Sequence, residues 1–271
     1  MSITLAGTGL FTGVHCTLTL ERHDGPLTVQ ALGEVATLAD FRPGRSPLSS
    51  TLALPGAGEL RTVEHLFAAV AGLQAYHGLR LTVDGPEVPL LDGTAAPFAE
   101  ALARLGVPVS APPTRIVRAF AAHVAGSDYR FEPDAAVRVE STLVTDDPRL
   151  VGTATYDGDA LDFRTRIAPA RTFAFARDLE AYAALGIATH LEPEHFVILG
   201  DTILAAGAPF HPDEPARHKL LDLLGDLVLH GGVPRGRITV RRPGHARTHE
   251  AMRQAVAGGA IGSSGPRGGT S

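Results

Sequence analysis

The chain has 271 residues, 44% of them apolar and 20% charged, with 6% aromatic residues and no Trp, a composition suited to one large globular domain or two moderate ones. A formal charge of −5 excludes a global basic field for nucleic acid or anionic lipid. A single cysteine, Cys16, excludes an internal disulfide framework and a cysteine-rich zinc finger, so any metal needs nitrogen and oxygen donors. The start Met1-Ser2-Ile3-Thr4-Leu5 lacks the charged and apolar regions of a secretory signal. No segment approaches the roughly 20 apolar residues of a membrane span, and a cytoplasmic, soluble protein is expected.

In chain order, Ile3–Leu10 and Cys16–Glu21 read as strands around a turn at Thr12-Gly13, and Leu27–Ala31 as a third. Val63, Leu66, Phe67, Val70 and Leu73 recur at helical spacing, predicting a helix over Thr62–Tyr76. A strand at Leu79–Val83 and a helix at Ala96–Leu105, stopped by Gly106, complete the first half. The proline-rich run Val107–Pro113 marks a boundary. Beyond it, strands are expected at Tyr129–Phe131, Val137–Ser141, Ala154–Tyr156, Leu161–Ile167, Phe196–Leu199 and Arg237–Val240. Helices are expected at Phe175–Leu185, Ala216–Leu229 and Ala246–Val256. The layout is α+β, with domains at 1–110 and 114–257 and a Gly/Ser-rich tail at 258–271 expected to be disordered. The two halves share a strands-then-helices order but no residue-level repeat.

Four places can carry chemistry. On a helix, His218 and Asp222 lie one turn apart on the same face and can reach one Zn²⁺ ion. Twelve His in 271 residues make about 0.7 such pairs by chance, so the pair means little alone. Asp226 continues the stripe, although a solvated face accounts for all three. Glu64-His65 opens the first long helix, where one side chain can bind a metal and the other take a proton from metal-activated water. A Glu favouring the helix dipole is the bland reading. His245, after Pro243-Gly244, is placed beyond a strand end to give a proton to a leaving amine. Thr172, in Ala170-Arg171-Thr172-Phe173, can donate to an oxyanion or simply cap a turn. Lys219, Arg241, Arg242 and Arg247 offer a local basic pocket for a phosphate.

Together these segments resemble the UDP-3-O-acyl-N-acetylglucosamine deacetylases. The resemblance rests on Thr62-Val63-Glu64-His65-Leu66, Leu91-Asp92-Gly93-Thr94-Ala95-Ala96-Pro97-Phe98, Ala170-Arg171-Thr172-Phe173, His218-Lys219-Leu220-Leu221-Asp222-Leu223-Leu224-Gly225-Asp226 and Gly244-His245-Ala246, in family order to about residue 256. It implies two sandwich-like α+β domains with the active site between them. It further implies hydrolysis of the C-2 acetamide of an acylated UDP-N-acetylglucosamine, in lipid A biosynthesis. By the same resemblance, His65, His218 and Asp222 hold Zn²⁺, with Fe²⁺ the alternative ion. Glu64 becomes the general base and His245 the general acid oriented by Asp226. Thr172 stabilises the oxyanion, Lys219 meets a phosphate or the developing charge, and Phe173 lines the substrate. No oligomeric state is implied.

Several positions depart from the family pattern. Phe11 stands where His is usual, Arg61 where Ser is common, and Ala174 where Gly follows Ala-Arg-Thr-Phe. The stretch 186–194 lacks the usual Gly-Gly-Ser and Asn in a region that cradles the acyl chain. The catalytic set is thus intact while the acyl-recognition set is altered. A metal-dependent deacetylase of another N-acylated sugar nucleotide, or a noncatalytic zinc-binding descendant, are the alternatives. An unrelated His-x-x-x-Asp acyltransferase leaves Glu64-His65 unexplained.

Overall fold

A computed structural model describes residues 1–46, 48–56, 58–184, 196–205 and 207–264. The first half runs β1 (Ser2–Thr8), β2 (His15–Pro26), β3 (Thr28–Ala31), β4 (Glu34–Thr37), the short pair β5 (Leu52–Ala53) and β6 (Glu59–Leu60), α1 (Glu64–Gly72), β7 (His77–Asp84) and α2 (Ala96–Leu105). The second runs β8 (Thr114–Ile116), β9 (Phe120–Val124), β10 (Ser127–Glu132), β11 (Val137–Thr142), β12 (Thr153–Tyr156), α3 (Ala160–Asp162), β13 (Thr172–Phe175), α4 (Leu179–Ala184), β14 (Phe196–Leu199), β15 (Ile203–Ala205), α5 (Glu214–Val228), β16 (Gly236–Arg241), α6 (His245–Ala257) and β17 (Ile261–Ser263).

The two halves repeat one topology. Their five-stranded sheets have orders β1-β2-β7-β3-β4 and β9-β10-β16-β11-β12. In each, the last strand lies parallel to the third, β7 beside β3 and β16 beside β11. A parallel pair needs a crossover connection, and the two crossovers carry α1 and α5. Those are the helices on which the sequence places its candidate metal-binding residues. Each half also inserts a segment between its fourth strand and that crossover helix. In the first half the insert spans 38–63; in the second it spans 157–213 and carries the separate sheet β13-β14-β15.

Apolar alternation explains the strands. Along β10, Tyr129 and Phe131 are buried while Asp128 and Arg130 face water. Helix α1 is buried throughout, as a helix of Leu, Phe, Val and Ala packed on all sides must be. It meets α5 where Gly225 removes the side chain: a Cβ there would lie 2.0 Å from the Glu64 carbonyl oxygen. Leu66, Val70, Leu220, Leu221 and Leu224 then share one core with residues of both sheets.

Four expectations need correction. Leu161–Ile167 is not a strand but α3 followed by a π turn at Phe163–Ile167. Its alternating pattern misleads because the Asp159 carboxylate accepts from the Leu161 and Asp162 N–H groups and starts a helix, which buries Phe163 and Ile167 four residues apart. The helix expected from Phe175 begins only at Leu179, since Thr172–Phe175 pairs as β13 with β14. Helix α1 stops at Gly72 rather than Tyr76, with Gln74 at φ +52°. The tail expected to be disordered from residue 258 contributes β17, which pairs with β8. Position 185 and the divergent stretch 186–194 lie outside the described residues.

Candidate active site

The first turn of α1 carries Glu64 and His65; α5 carries His218, Lys219, Asp222 and Asp226; His245 opens α6. Gly225 lets the two crossover helices touch, so their side chains converge on one point at the base of a cleft of about 610 Å³. Among the described residues, His65, His218 and Asp222 form the one cluster spaced to hold a metal ion. His218 Nε2 lies 3.4 Å and His65 Nε2 3.7 Å from Asp222 Oδ1, and the donor atoms all lie within 4.8 Å of one another. Tetrahedral ligands of one Zn²⁺ stand about 3.3 Å apart, so the set fits such an ion.

The surroundings prepare these donors. The Ala170 carbonyl can only accept, so the 3.1 Å contact from His218 Nδ1 places the ring proton there and leaves the Nε2 lone pair for a metal. Ala170 is held in turn by the buried Arg171, whose Nε and Nη2 donate to the two Glu214 oxygens at 2.7 and 2.9 Å. Burial pushes the His218 imidazole down to about 4 and keeps it neutral. Burial opposes the ionised Asp222, yet the positive charge of Lys219 holds its carboxyl well below the usual carboxylate range. Its Oδ2 accepts from Lys219 Nζ at 2.7 Å while Oδ1 faces the two imidazoles.

Two proton-carrying groups flank the triad. Burial raises the Glu64 carboxyl to about 7, against the pull of His245 and His65. The Ser50 backbone N–H donates to its Oε2 at 3.0 Å. At His245, burial disfavours the charged ring, but the Asp226 carboxylate outweighs it and lifts the imidazole to about 9. The His245 Nδ1–H donates to Asp226 Oδ1 at 2.8 Å, leaving Nε2 free.

The cleft brings together the expected residues Glu64, His65, Thr172, Phe173, His218, Lys219, Asp222 and His245 along its lining, with Asp226 behind His245. Thr172 donates to the Gly93 carbonyl at 3.3 Å, and the Phe173 ring meets His218 edge-on with centroids 6.0 Å apart. Lys219 Nζ sits 5.6 Å from the Phe173 centroid, close enough for a cation–π contact. The basic pocket expected from Lys219, Arg241, Arg242 and Arg247 does not line the cleft as a group; only Lys219 does. Sequence reasoning missed Ser50, Glu214 and Glu87. Glu87 accepts from the Phe11 and Thr12 N–H groups and the Thr62 hydroxyl, pinning the Gly9–Thr12 turn at the cleft edge. No local pattern marks these residues.

A buried imidazole–carboxylate triad, flanked by a carboxyl near neutrality and a charged imidazole, is the arrangement of a metal-dependent hydrolase. The profile of the family described as LpxC, UDP-3-O-acyl N-acetylglycosamine deacetylase, matches residues 1–257. Three proteins named UDP-3-O-acyl-N-acetylglucosamine deacetylase are similar over most of their length. That of Myxococcus xanthus is 34% identical over 270 residues, covering 93% of this chain and 83% of its own. Those of a Synechocystis strain and of Brucella melitensis are each 33% identical, covering 94% and 93% of this chain and 96% and 92% of their own. The chain belongs to the LpxC deacetylase family. No helix among the described residues is long and apolar enough to cross a membrane.

Proposed function

We infer that the chain hydrolyses the C-2 acetamide of UDP-3-O-acyl-N-acetylglucosamine, releasing acetate, as a step of lipid A biosynthesis in the cytoplasm. The reading is carried by one observation: three metal donors from two crossover helices meet beside Glu64 and His245. We read residues 1–110 and 114–257 as two domains, each with its own five-stranded sheet, and the cleft as lying between them.

His65, His218 and Asp222 would hold Zn²⁺, with Fe²⁺ as the competing ion. The bound ion supplies Lewis acidity, lowering the pKa of water towards about 7 and polarising the amide carbonyl. Glu64, at about 7, accepts a proton as the water oxygen adds to the acetyl carbon. Thr172 turns its hydroxyl from the Gly93 carbonyl towards the oxyanion, and Lys219 faces the same developing charge. As the C–N bond breaks, His245 Nε2 gives its proton to the departing amine. Its Nδ1–H stays on Asp226, which fixes the ring and favours its charged form. Acetate and the free amine leave.

Leu10, Phe11, Leu48, Leu90, Phe173 and Ile198 give the cleft an apolar wall, which suits a substrate bearing an acyl chain. The departures at Phe11 and 186–194 favour one second reading, a related N-acetylated sugar nucleotide without that chain. Acetate release from acylated and non-acylated UDP-N-acetylglucosamine, with bound metal measured alongside, separates the two. Hydrolysis of the acylated form alone is expected. Equal rates on both would support the second reading, and no release from either would remove the enzyme reading.

A further inference from the structure

We propose that Ser50 is a positioning residue whose hydroxyl holds Asp226 against His245, and that His249 sets the direction of that hydroxyl. The inference rests on the deacetylase reading above and adds a part of the machinery that lies behind the cleft.

Ser50 belongs to the first insert, just before β5, and is 1% exposed. Its main chain is clamped to the start of α1. The N–H donates to Glu64 Oε2 at 3.0 Å, and the carbonyl accepts from Val63 N at 3.0 Å. From this anchored backbone the Oγ reaches three groups on two other helices: Asp226 Oδ1 at 2.5 Å, His249 Nε2 at 3.2 Å and His245 Nδ1 at 3.4 Å. One residue thus touches the proton acceptor, the carboxylate that orients the proton donor, and the donor itself.

The direction of each hydrogen bond follows from counting protons. The Asp226 carboxylate only accepts, so Ser50 must give it the single hydroxyl proton. His245 Nδ1–H is already directed to the same Asp226 oxygen at the shorter distance of 2.8 Å. The Ser50 lone pair is therefore open to His249 Nε2–H. The His249 Nδ1 is then bare and accepts from His230 Nε2 at 3.1 Å. Burial supports neutral rings at both positions, pushing His249 down and His230 to about 3. Asp226 pulls the His249 ring towards its charged form, while His245 and Arg253 push the other way; His249, Arg253 and Arg42 likewise disfavour a charged His230, against Asp226. The donors His230, His249 and Ser50 run in one direction and end on Asp226. Neither His230 nor His249 has a place in the reaction as derived above, yet His249 is only 8% exposed.

Ser50 does not line the cleft, so substrate affinity should not register its loss. In Ser50→Ala the backbone link to Glu64 persists and only the tie to Asp226 goes. Steady-state kinetics of the metal-loaded full chain should show kcat about 10–100-fold lower, with KM within about twofold and metal content unchanged. Ser50→Thr keeps a hydroxyl at the same atom and should recover kcat to within about threefold of wild type. His249→Phe should lower kcat about 3–10-fold, and the double variant should be no slower than Ser50→Ala because both act through one hydroxyl. The NMR resonance of the His245 Nδ1 proton should move in Ser50→Ala and His249→Phe and stay in place in Ser50→Thr. Wild-type kcat in Ser50→Ala, additive losses in the double variant, or parallel loss of metal and KM would overturn the proposal. Should Ser50→Ala fail to fold, His249→Phe decides: normal kcat with an unmoved His245 proton sinks it. If the wild-type chain releases no acetate, the deacetylase reading fails, while the ring proton still tests the Ser50 tie.

Discussion

The two halves use the same strand order and the same crossover, yet they divide the work unequally. In the first, α1 presents Glu64 and His65 side by side in one turn, and its 38–63 insert brings Ser50 behind them. In the second, α5 spreads His218, Asp222 and Asp226 over two further turns, and its 157–213 insert builds the wall of β13, β14 and α4. The floor residues are buried and interlocked, whereas Thr172, Phe173, Phe196 and Ile198 on the wall are half-buried, and Phe173 packs on a small separate core around Leu150, Val197 and Leu199. A duplicated scaffold can thus fix chemistry where its helices touch, while an insert with its own packing adds half-buried surface to the apolar lining that the first half begins with Leu10, Phe11, Leu48 and Leu90.

This contrast can be broken most sharply at the floor. Asp222→Ala removes the ligand both imidazoles face, and metal content measured by elemental analysis should fall well below one ion per chain as activity disappears. Glu64→Gln and His245→Ala should keep the metal and the fold but lose about 10²–10⁴ in kcat. Metal loss in either would merge roles that are here kept apart. Next in size, Gly225→Ala should force α1 and α5 apart and cost about 1–3 kcal/mol of stability, with weakened metal binding. Denaturant titration and metal competition read the two effects, and unchanged metal affinity would mean the helix contact does not set the site.

On the wall, Ile198→Ala should cost about 1–2 kcal/mol of apolar contact, raising KM for the acylated substrate roughly tenfold with kcat and metal unchanged. A fall in kcat instead would show the wall and floor to be coupled. The smallest effect concerns acid stability. Burial, with His249 alongside, depresses the folded-state His230 imidazole from 6.5 to about 3. Above 6.5 neither state binds this proton; below it the unfolded chain does and the folded one does not, so stability falls as pH drops towards 3. His230→Gln should flatten that fall between pH 7.5 and 5.5 in denaturant midpoints.

Local chemistry was readable wherever one helix carried it. The His218, Asp222 and Asp226 spacing, the Glu64-His65 pair and the strands with alternating burial, such as β10, all follow from periods of 3.6 or 2 residues. The same rule misread 161–167, where a capping carboxylate at Asp159 overrode an alternating pattern. Ser50, Glu214 and the Ala170 carbonyl carry no such period. Ser50 meets Asp226 across 176 positions and Arg171 meets Glu214 across 43, distances over which spacing says nothing.

What the amino-acid order determined by itself was a set of donors on two helices and the family to which their motifs belong. Tertiary packing decided the rest: that a glycine on α5 admits the backbone of α1, that His65 then meets His218 and Asp222, and that burial raises Glu64 while Asp226 holds His245 charged. Ligand geometry and proton affinity depend on what surrounds a side chain in space, and neighbours along the chain supply only part of that.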